Sequence, residues 1–339
     1  MIRMYFYFWV LYNYINSYDQ IKLLVNYFII IIINYIFFVV MKQKYLMGMF
    51  QSSGPFPHQN SLVMYLIILS GFIFAKLLNS KEKNIRTFLI LFITFGMSGI
   101  SIISTLSRAG MACFAISLIV ILLMTFSSGF NMKKISVTFL LILIGASVLF
   151  KAMDSIIERF NTAPEESKDT RVALAISAVN MANSSIIGVG LNNFSLKLDE
   201  PYTFSPHIDS SDSNENKKGG LVETIYLMIA AETGWGNLIV FLALLLTTYS
   251  RNVINYIRYK NHEYRYVLIG LCGGLTGIYI ESTLEWVLKQ SNNFYQLMMV
   301  IAITGVMTKL LQNSKNSKSL KKRINNIRKL KIIKVRKKS

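Results

Sequence analysis

Ile21–Met41 reads IKLLVNYFIIIIINYIFFVVM, and this stretch decides the fold class. A helix rises about 1.5 Å per residue, so about 20 such residues cross the roughly 30 Å hydrocarbon core of a bilayer. An outer-membrane strand would alternate apolar and polar residues over about ten positions, and no such alternation is present. Similar runs recur at 61–79, 87–106, 109–127, 133–150, 222–250, 266–286 and 294–312. The 339 residues are 53% hydrophobic and 16% charged, against about 25% charged in a soluble domain. An ordinary soluble enzyme, a disordered chain and a disulfide scaffold are excluded. The expected fold is all-α, a polytopic integral membrane protein with about 8–9 transmembrane helices and one large extracytoplasmic loop. The aromatic stretch 4–17 is either the ninth span or a helix lying at the interface, where Tyr and Trp concentrate.

Charge orders these segments. Of the net +19, residues 315–339 supply 12 Lys or Arg and no acid. The segment 151–221 holds 10 of the 17 acids against 7 bases. Basic residues stay cytoplasmic, so the tail, the 251–265 turn, the 76–86 turn and the Lys133–Lys134 turn are expected inside. The loop 151–221 then lies outside, with 42–60, Ser107–Arg108 and 288–293. Four units follow: membrane helices in 1–150, the outer loop 151–221 with short helices, membrane helices in 222–312 and a basic cytoplasmic tail in 313–339. The tail suits anionic lipid head groups better than nucleic acid. Cys113 and Cys272 lie in apolar runs without metal-ligand spacing and read as inert buried thiols. The opening MIRMYFYFWVLYNYI has no small-residue cleavage site, so no cleavable signal peptide is expected.

The residues suited to chemistry gather at the outer ends of the spans. In Gly54-Pro-Phe-Pro-His58-Gln-Asn60 the prolines cannot continue a helix, and Asn60 or Ser61 is placed to cap the span that follows. His58 titrates near neutrality when unperturbed. Arg108 opens a span, where a planar guanidinium can grip phosphate oxygens; the plain structural reading is a snorkelling cation. Arg171 follows an acidic run and can assist it. Glu223 sits at the mouth of a span, where partial desolvation raises a carboxylate's pKa toward that of a general base. Tyr226 lies about one turn on. Glu232, nine residues from Glu223, points to the opposite side, and Gly234 and Gly236 permit a bend or close packing. Glu281 and Glu285 are expected on one helix face, with Glu285 and Lys289 paired at i, i+4. Gly188-Val-Gly190-Leu-Asn192-Asn193-Phe194 lacks the third glycine and the preceding strand of a dinucleotide site. His207, Asp209 and Asp212 could hold a metal, but a polar loop is the better reading, and no metal or cofactor is expected.

Together these pieces resemble the bacterial O-antigen ligase and polysaccharide polymerase family. The resemblance is carried by Gly54-Pro-Phe-Pro-His58-Gln-Asn60, Ser107-Arg108-Ala-Gly110, Arg171, Gly188 to Phe194, Val222-Glu223-Thr-Ile-Tyr226-Leu and Ala231-Glu232-Thr-Gly234-Trp-Gly236. It implies a metal-independent membrane glycosyltransferase that takes a glycan from undecaprenyl diphosphate at the outer face of the bacterial cytoplasmic membrane. Arg108 and Arg171 stand where the family holds the diphosphate. Glu223-Thr224 stands where the family usually has a His-Asn pair, so Glu223 is the expected base, with His58 or His207 behind it. The remaining substrate contacts are expected from His58, Asn60, Asn192, Asn193, Tyr226, Glu232 and Glu285. The family commonly has more spans before residue 54, so a shortened N-terminal part is expected. The expected function is a repeat-unit polymerase for O-antigen, capsule or exopolysaccharide. Its partners are lipid-linked oligosaccharide, membrane lipid and a chain-length regulator, with no nucleic acid. A ligase to lipid A core and a lipid-glycan transporter or flippase are the alternatives. A transporter would favour charges at mid-membrane, whereas here they cluster at the ends.

Overall fold

The computed structural model describes residues 2–80, 84–161, 166–198, 200–202, 220–260 and 262–336. The described residues form helices joined by short turns, with no strand among them. In chain order these are α1 (Ile2–Tyr14), α2 (Tyr18–Leu46), α3 (Gln59–Asn79), α4 (Ile85–Ile103), α5 (Arg108–Phe126), α6 (Met132–Lys151), α7 (Met153–Asn161), α8 (Glu166–Ser184), α9 (Ile225–Arg258), α10 (Arg265–Glu281) and α11 (Ser291–Arg336). Seven are long and apolar enough to cross a membrane: α2, α3, α4, α5, α6, α9 and the first part of α11, Ser291–Asn313. The chain is thus an all-α, multi-pass membrane protein.

The crossing expected at 266–286 is α10, a 17-residue helix ending at Glu281, about 25 Å long at 1.5 Å per residue. The stretch 4–17 forms the 13-residue α1, about 20 Å, short of a bilayer. Helix α1 packs along α11, with Tyr7 edge-on to Tyr295 at 5.5 Å. Most of the expected polar loop 199–220, with His207, Asp209 and Asp212, lies outside the described residues.

The core is built around α3, which is buried along nearly all its length between α10, α5 and α4. Lipid tails are as apolar as leucine, so close packing rather than water exclusion holds such helices together. Glycines on α10 allow that closeness. A Cβ on Gly270 would lie 2.9 Å from the Cα of Phe72, and one on Gly274 would lie 3.1 Å from the Cα of Ile68. On the opposite flank, a Cβ on Gly273 would lie 2.3 Å from Ile121 of α5. Side-chain hydrogen bonds add to the α9–α11 seam, from Asn252 to Thr304 at 2.9 Å and from Asn255 to Thr308 at 2.8 Å. Helix α6 is the contrast: Phe139, Leu140, Ile142 and Leu143 point outward, as side chains suited to lipid do.

Candidate active site

One end of the bundle collects the starts of α3, α9 and α11 and the end of α10. The 47–58 loop there is fixed by Gln43 at the end of α2. Its amide donates to the Gly54 carbonyl at 2.9 Å and accepts from the Gly54 N–H at 2.8 Å. Ser52 N–H donates to the Ser104 carbonyl at 3.1 Å, which ties the loop to the α4–α5 turn. Phe56 is buried against Tyr65, with ring centroids 5.1 Å apart.

The cap of α3 is His58 and not Asn60 or Ser61. His58 has extended backbone, and its Nδ1 accepts from the Asn60 N–H at 3.3 Å. This leaves both expected caps available for other partners. The Asn60 side chain donates to Glu285 Oε1, and the Ser61 hydroxyl donates to Gln290 Oε1. The turn after α10 is thereby docked on the start of α3. Thr224, the residue before α9, donates to the Ser282 carbonyl at 3.3 Å, and the Ile225 N–H meets the same carbonyl at 3.2 Å. That tie sets Glu223 in the same cleft as Glu285. From α8, Arg171 Nε reaches Glu223 Oε2 at 2.8 Å, with the two side chains 52% and 31% exposed.

His58, Asn60, Arg171, Glu223 and Glu285 therefore line one cleft of about 360 Å³, with Gln59, Leu221 and Trp286. Burial raises the Glu223 pKa above the usual carboxylate range, and the Arg171 guanidinium pulls part of the way back. Glu285 is pushed up to about 7, first by burial and then by the nearby Glu223 charge, against the opposing pull of Arg171 and the Asn60 hydrogen bond. Burial lowers the His58 pKa, which favours the neutral ring. With Nδ1 accepting, the ring proton sits on Nε2.

A second cavity of about 870 Å³ shares His58, Leu221 and Trp286 with the first. It holds Asn192 and Glu232. Here Lys289 Nζ meets Glu232 Oε2 at 2.5 Å, with side chains 19% and 2% exposed. The expected Glu285–Lys289 pairing is not made, because the chain leaves the helix at Glu281 and turns before Lys289. For the same reason Glu281 and Glu285 do not share a helix face. Glu281 closes α10 fully buried, and neither of its carboxyl oxygens has a hydrogen-bond partner.

Glu232 is placed by a break in α9. Gly234 has φ 86° and ψ 163°, outside helical space and accessible to glycine. The break exposes carbonyls that the 185–194 turn satisfies: Val189 N–H donates to Ala231 and Gly190 N–H to Glu232, both at 2.9 Å. A Cβ on Gly188 would lie 2.4 Å from the Ala231 carbonyl oxygen, and one on Gly234 only 1.9 Å from that of Ile186. Two glycine-bearing motifs, about 45 residues apart in the chain, are thus one backbone-to-backbone joint.

The remaining expected residues take other places. Asn193 Nδ2 donates to the Val189 carbonyl at 3.0 Å and closes the turn on itself. Tyr226 donates its hydroxyl to the Tyr279 carbonyl at 3.0 Å, joining α9 to α10. Arg108 opens α5 behind its cap Ser107, exposed and outside both cavity linings. It is at the same end of the bundle, since a Cβ on Gly110 would press on Val63 of α3 at 2.6 Å. Gln43, which organises the entry loop, was not evident from sequence, since a Gln ending an apolar run carries no motif. Among the described residues no three His, Cys, Asp or Glu gather as a metal site.

The fold and the site define a multi-pass membrane protein whose acids and cations meet at one end of its helices. Residues 93–242, from within α4 to within α9, match the family model of the O-antigen ligases. The match covers somewhat less than half of the chain, and over that segment the chain is similar to the O-antigen ligases. No curated protein matches the chain significantly. The matched segment includes Arg108, Arg171, Glu223 and Glu232, while His58, Asn60 and Glu285 complete the cavities from outside it.

Proposed function

We propose that the chain is a repeat-unit polymerase. It moves a glycan from an undecaprenyl-diphosphate carrier onto a second lipid-linked repeat unit, at the outer face of the bacterial cytoplasmic membrane. The observation that carries this reading is the meeting of a cation, two carboxylates with raised pKa and two neutral hydrogen-bonding side chains in one cleft at the end of the spans.

The step is a displacement at the anomeric carbon. The acceptor hydroxyl oxygen bonds to that carbon, and the carbon–oxygen bond to the diphosphate breaks with its electron pair leaving on the diphosphate. The hydroxyl proton passes to Glu223. Arg171 holds Glu223 through Nε, which leaves its paired Nη groups to meet phosphate oxygens. As Arg171 turns toward the diphosphate, its pull on Glu223 weakens and the carboxylate becomes the stronger base. Glu285, held by Asn60, accepts from a sugar hydroxyl, and His58 donates from Nε2. Arg108, on the same end, supplies a second cation toward the lipid phosphate. Asn192 and Glu232 place the second cavity beside this chemistry, roomy enough for further sugars.

The test uses purified protein in lipid with a short undecaprenyl-diphosphate oligosaccharide as sole substrate. A ladder of repeats is expected, slowed about 10²-fold or more in Glu223→Gln. The description of the matched family model favours a ligase as the second reading. A ligase would give no ladder alone but one transfer product once a non-lipid-diphosphate acceptor is added.

A further inference from the structure

At the opposite end of α3 lies a third cavity, of about 530 Å³. It is formed where the end of α3, the α5–α6 turn and the α9–α10 turn come together, the end that the basic residues assign to the cytoplasm. Among the described residues its lining carries Lys133, Lys134, Lys260 and Arg265, with His262 and Glu263. We propose that this cavity binds the phosphate of an anionic lipid headgroup.

Lys134 and Arg265 are held beside the space by neutral oxygens. Lys134 Nζ donates to the carbonyls of Thr125 and Gly129, both at 3.1 Å. Arg265 Nη1 donates to Ser128 Oγ at 2.6 Å, and its guanidinium lies 3.9 Å over the Tyr256 ring. Lys133 Nζ donates to the Ser80 carbonyl at 3.0 Å. Arg265 Nε is buried without a hydrogen-bond partner. Lys134, Lys260 and Arg265 stand close together among the described lining residues and repel one another, and a phosphate relieves that repulsion. A guanidinium beside ammonium groups is the donor set that phosphate oxygens take. Helices α6 and α10 both begin here, so their positive ends add to the same field.

The surroundings select a lipid over a free anion. Phe130 and Met132, on either side of the lining residue Asn131, are 79% and 74% exposed. From there α6 runs on with apolar side chains outward over nearly its whole length. A ligand with a phosphate head in the cavity and acyl chains along α6 covers both surfaces. Basic pockets between helix ends on this membrane face are suited to such headgroups.

The experiment is native mass spectrometry of the full chain in neutral detergent, titrated with phosphatidylglycerol, phosphatidylcholine or glycerol phosphate. Wild type should retain phosphatidylglycerol over phosphatidylcholine. Each charge removed should weaken that retention about fivefold, so Lys134→Gln with Lys260→Gln should weaken it about 25-fold. The basic tail is unchanged in every variant, so its own lipid contacts cancel. If the double variant does not fold, Lys260→Glu alone decides, because Lys260 is exposed. Equal retention by wild type and variants overturns the proposal. Glycerol phosphate competing as well as phosphatidylglycerol overturns the lipid assignment and leaves a soluble-phosphate site.

Discussion

Two carboxylate–cation pairs, Glu223–Arg171 and Glu232–Lys289, line adjoining cavities, and they are built in opposite ways. Glu232–Lys289 is almost wholly buried, set on a broken helix whose carbonyls are held by the Gly188–Gly190 turn. Glu223–Arg171 is a third to a half exposed and sits on residues outside the long helices or on the outlying α8. A buried pair cannot exchange partners without leaving a charge in apolar surroundings, whereas a half-wet pair can. The first pair holds a wall, and the second can exchange its partner for water or another group. The shared lining of His58, Leu221 and Trp286 lets the fixed side fix the geometry of the other.

The largest effect expected is on the joint beneath the buried pair. Gly234→Ala puts a Cβ 1.9 Å from a backbone oxygen at a φ that alanine rarely adopts. Strain alone is worth about 1–3 kcal/mol, and the clash adds to it. The variant should melt far below wild type in detergent and lose transfer. A melting point within a degree or two of wild type would show that the joint yields freely and would dissolve the contrast. Next comes Lys289→Ala, which strands Glu232 and should cost about 3–5 kcal/mol. Adding Glu232→Gln should recover most of that loss. If Lys289→Ala costs less than about 1 kcal/mol, the buried pair is not the fixed one.

Much of this contrast was hidden from sequence for identifiable reasons. The spans were legible because a bilayer demands about 20 apolar residues in a row, whatever packs beside them. The shortness of α10 was not, because apolar residues continue past Glu281 into a turn that the Asn60 and Ser61 contacts hold. The cap shifted for a similar reason: Asn60 and Ser61 are good capping residues, but both have partners about 225 residues away that local rules do not see. The i, i+4 rule put Lys289 with Glu285, and the true partner, Glu232, is 57 residues distant. Glu223, Arg171, Glu285, Asn60 and His58 were each singled out, but their meeting in one cleft depends on four separate helix ends.

The exposed pair should respond the other way round. Arg171→Ala removes a contact that screening already weakens, so stability should change by no more than about 1 kcal/mol. On the proposed function transfer should nevertheless fall about 10²-fold or more, because that reading gives Arg171 both the grip on the diphosphate and the tuning of Glu223. Arg171→Lys keeps the charge without the fork and should restore only part of the rate. The comparison breaks if Arg171→Ala destabilises as much as Lys289→Ala, for then both pairs are structural.

A pH dependence locates the cleft's electrostatics. Glu285 has its folded pKa raised to about 7, above an unfolded value of about 4.3. Between those values the folded chain holds a proton that the unfolded chain has lost. The stabilisation is therefore complete below about pH 4 and fades as pH rises through about 7. Melting temperature should fall over that window, and Glu285→Gln should flatten the fall. Asn60→Ala removes a hydrogen bond that favours the ionised carboxylate, so the folded pKa rises further and the fall extends to higher pH. Arg171→Ala should move it the same way, since its cation also favours ionisation. Lys289→Ala should leave the Glu285 window where it is, because burial, Glu223, Arg171 and Asn60 set that carboxyl. A shift in Lys289→Ala as large as that in Asn60→Ala would mean that the two cavities share one electrostatic environment and that the wall between them does not separate a holding pair from a working one.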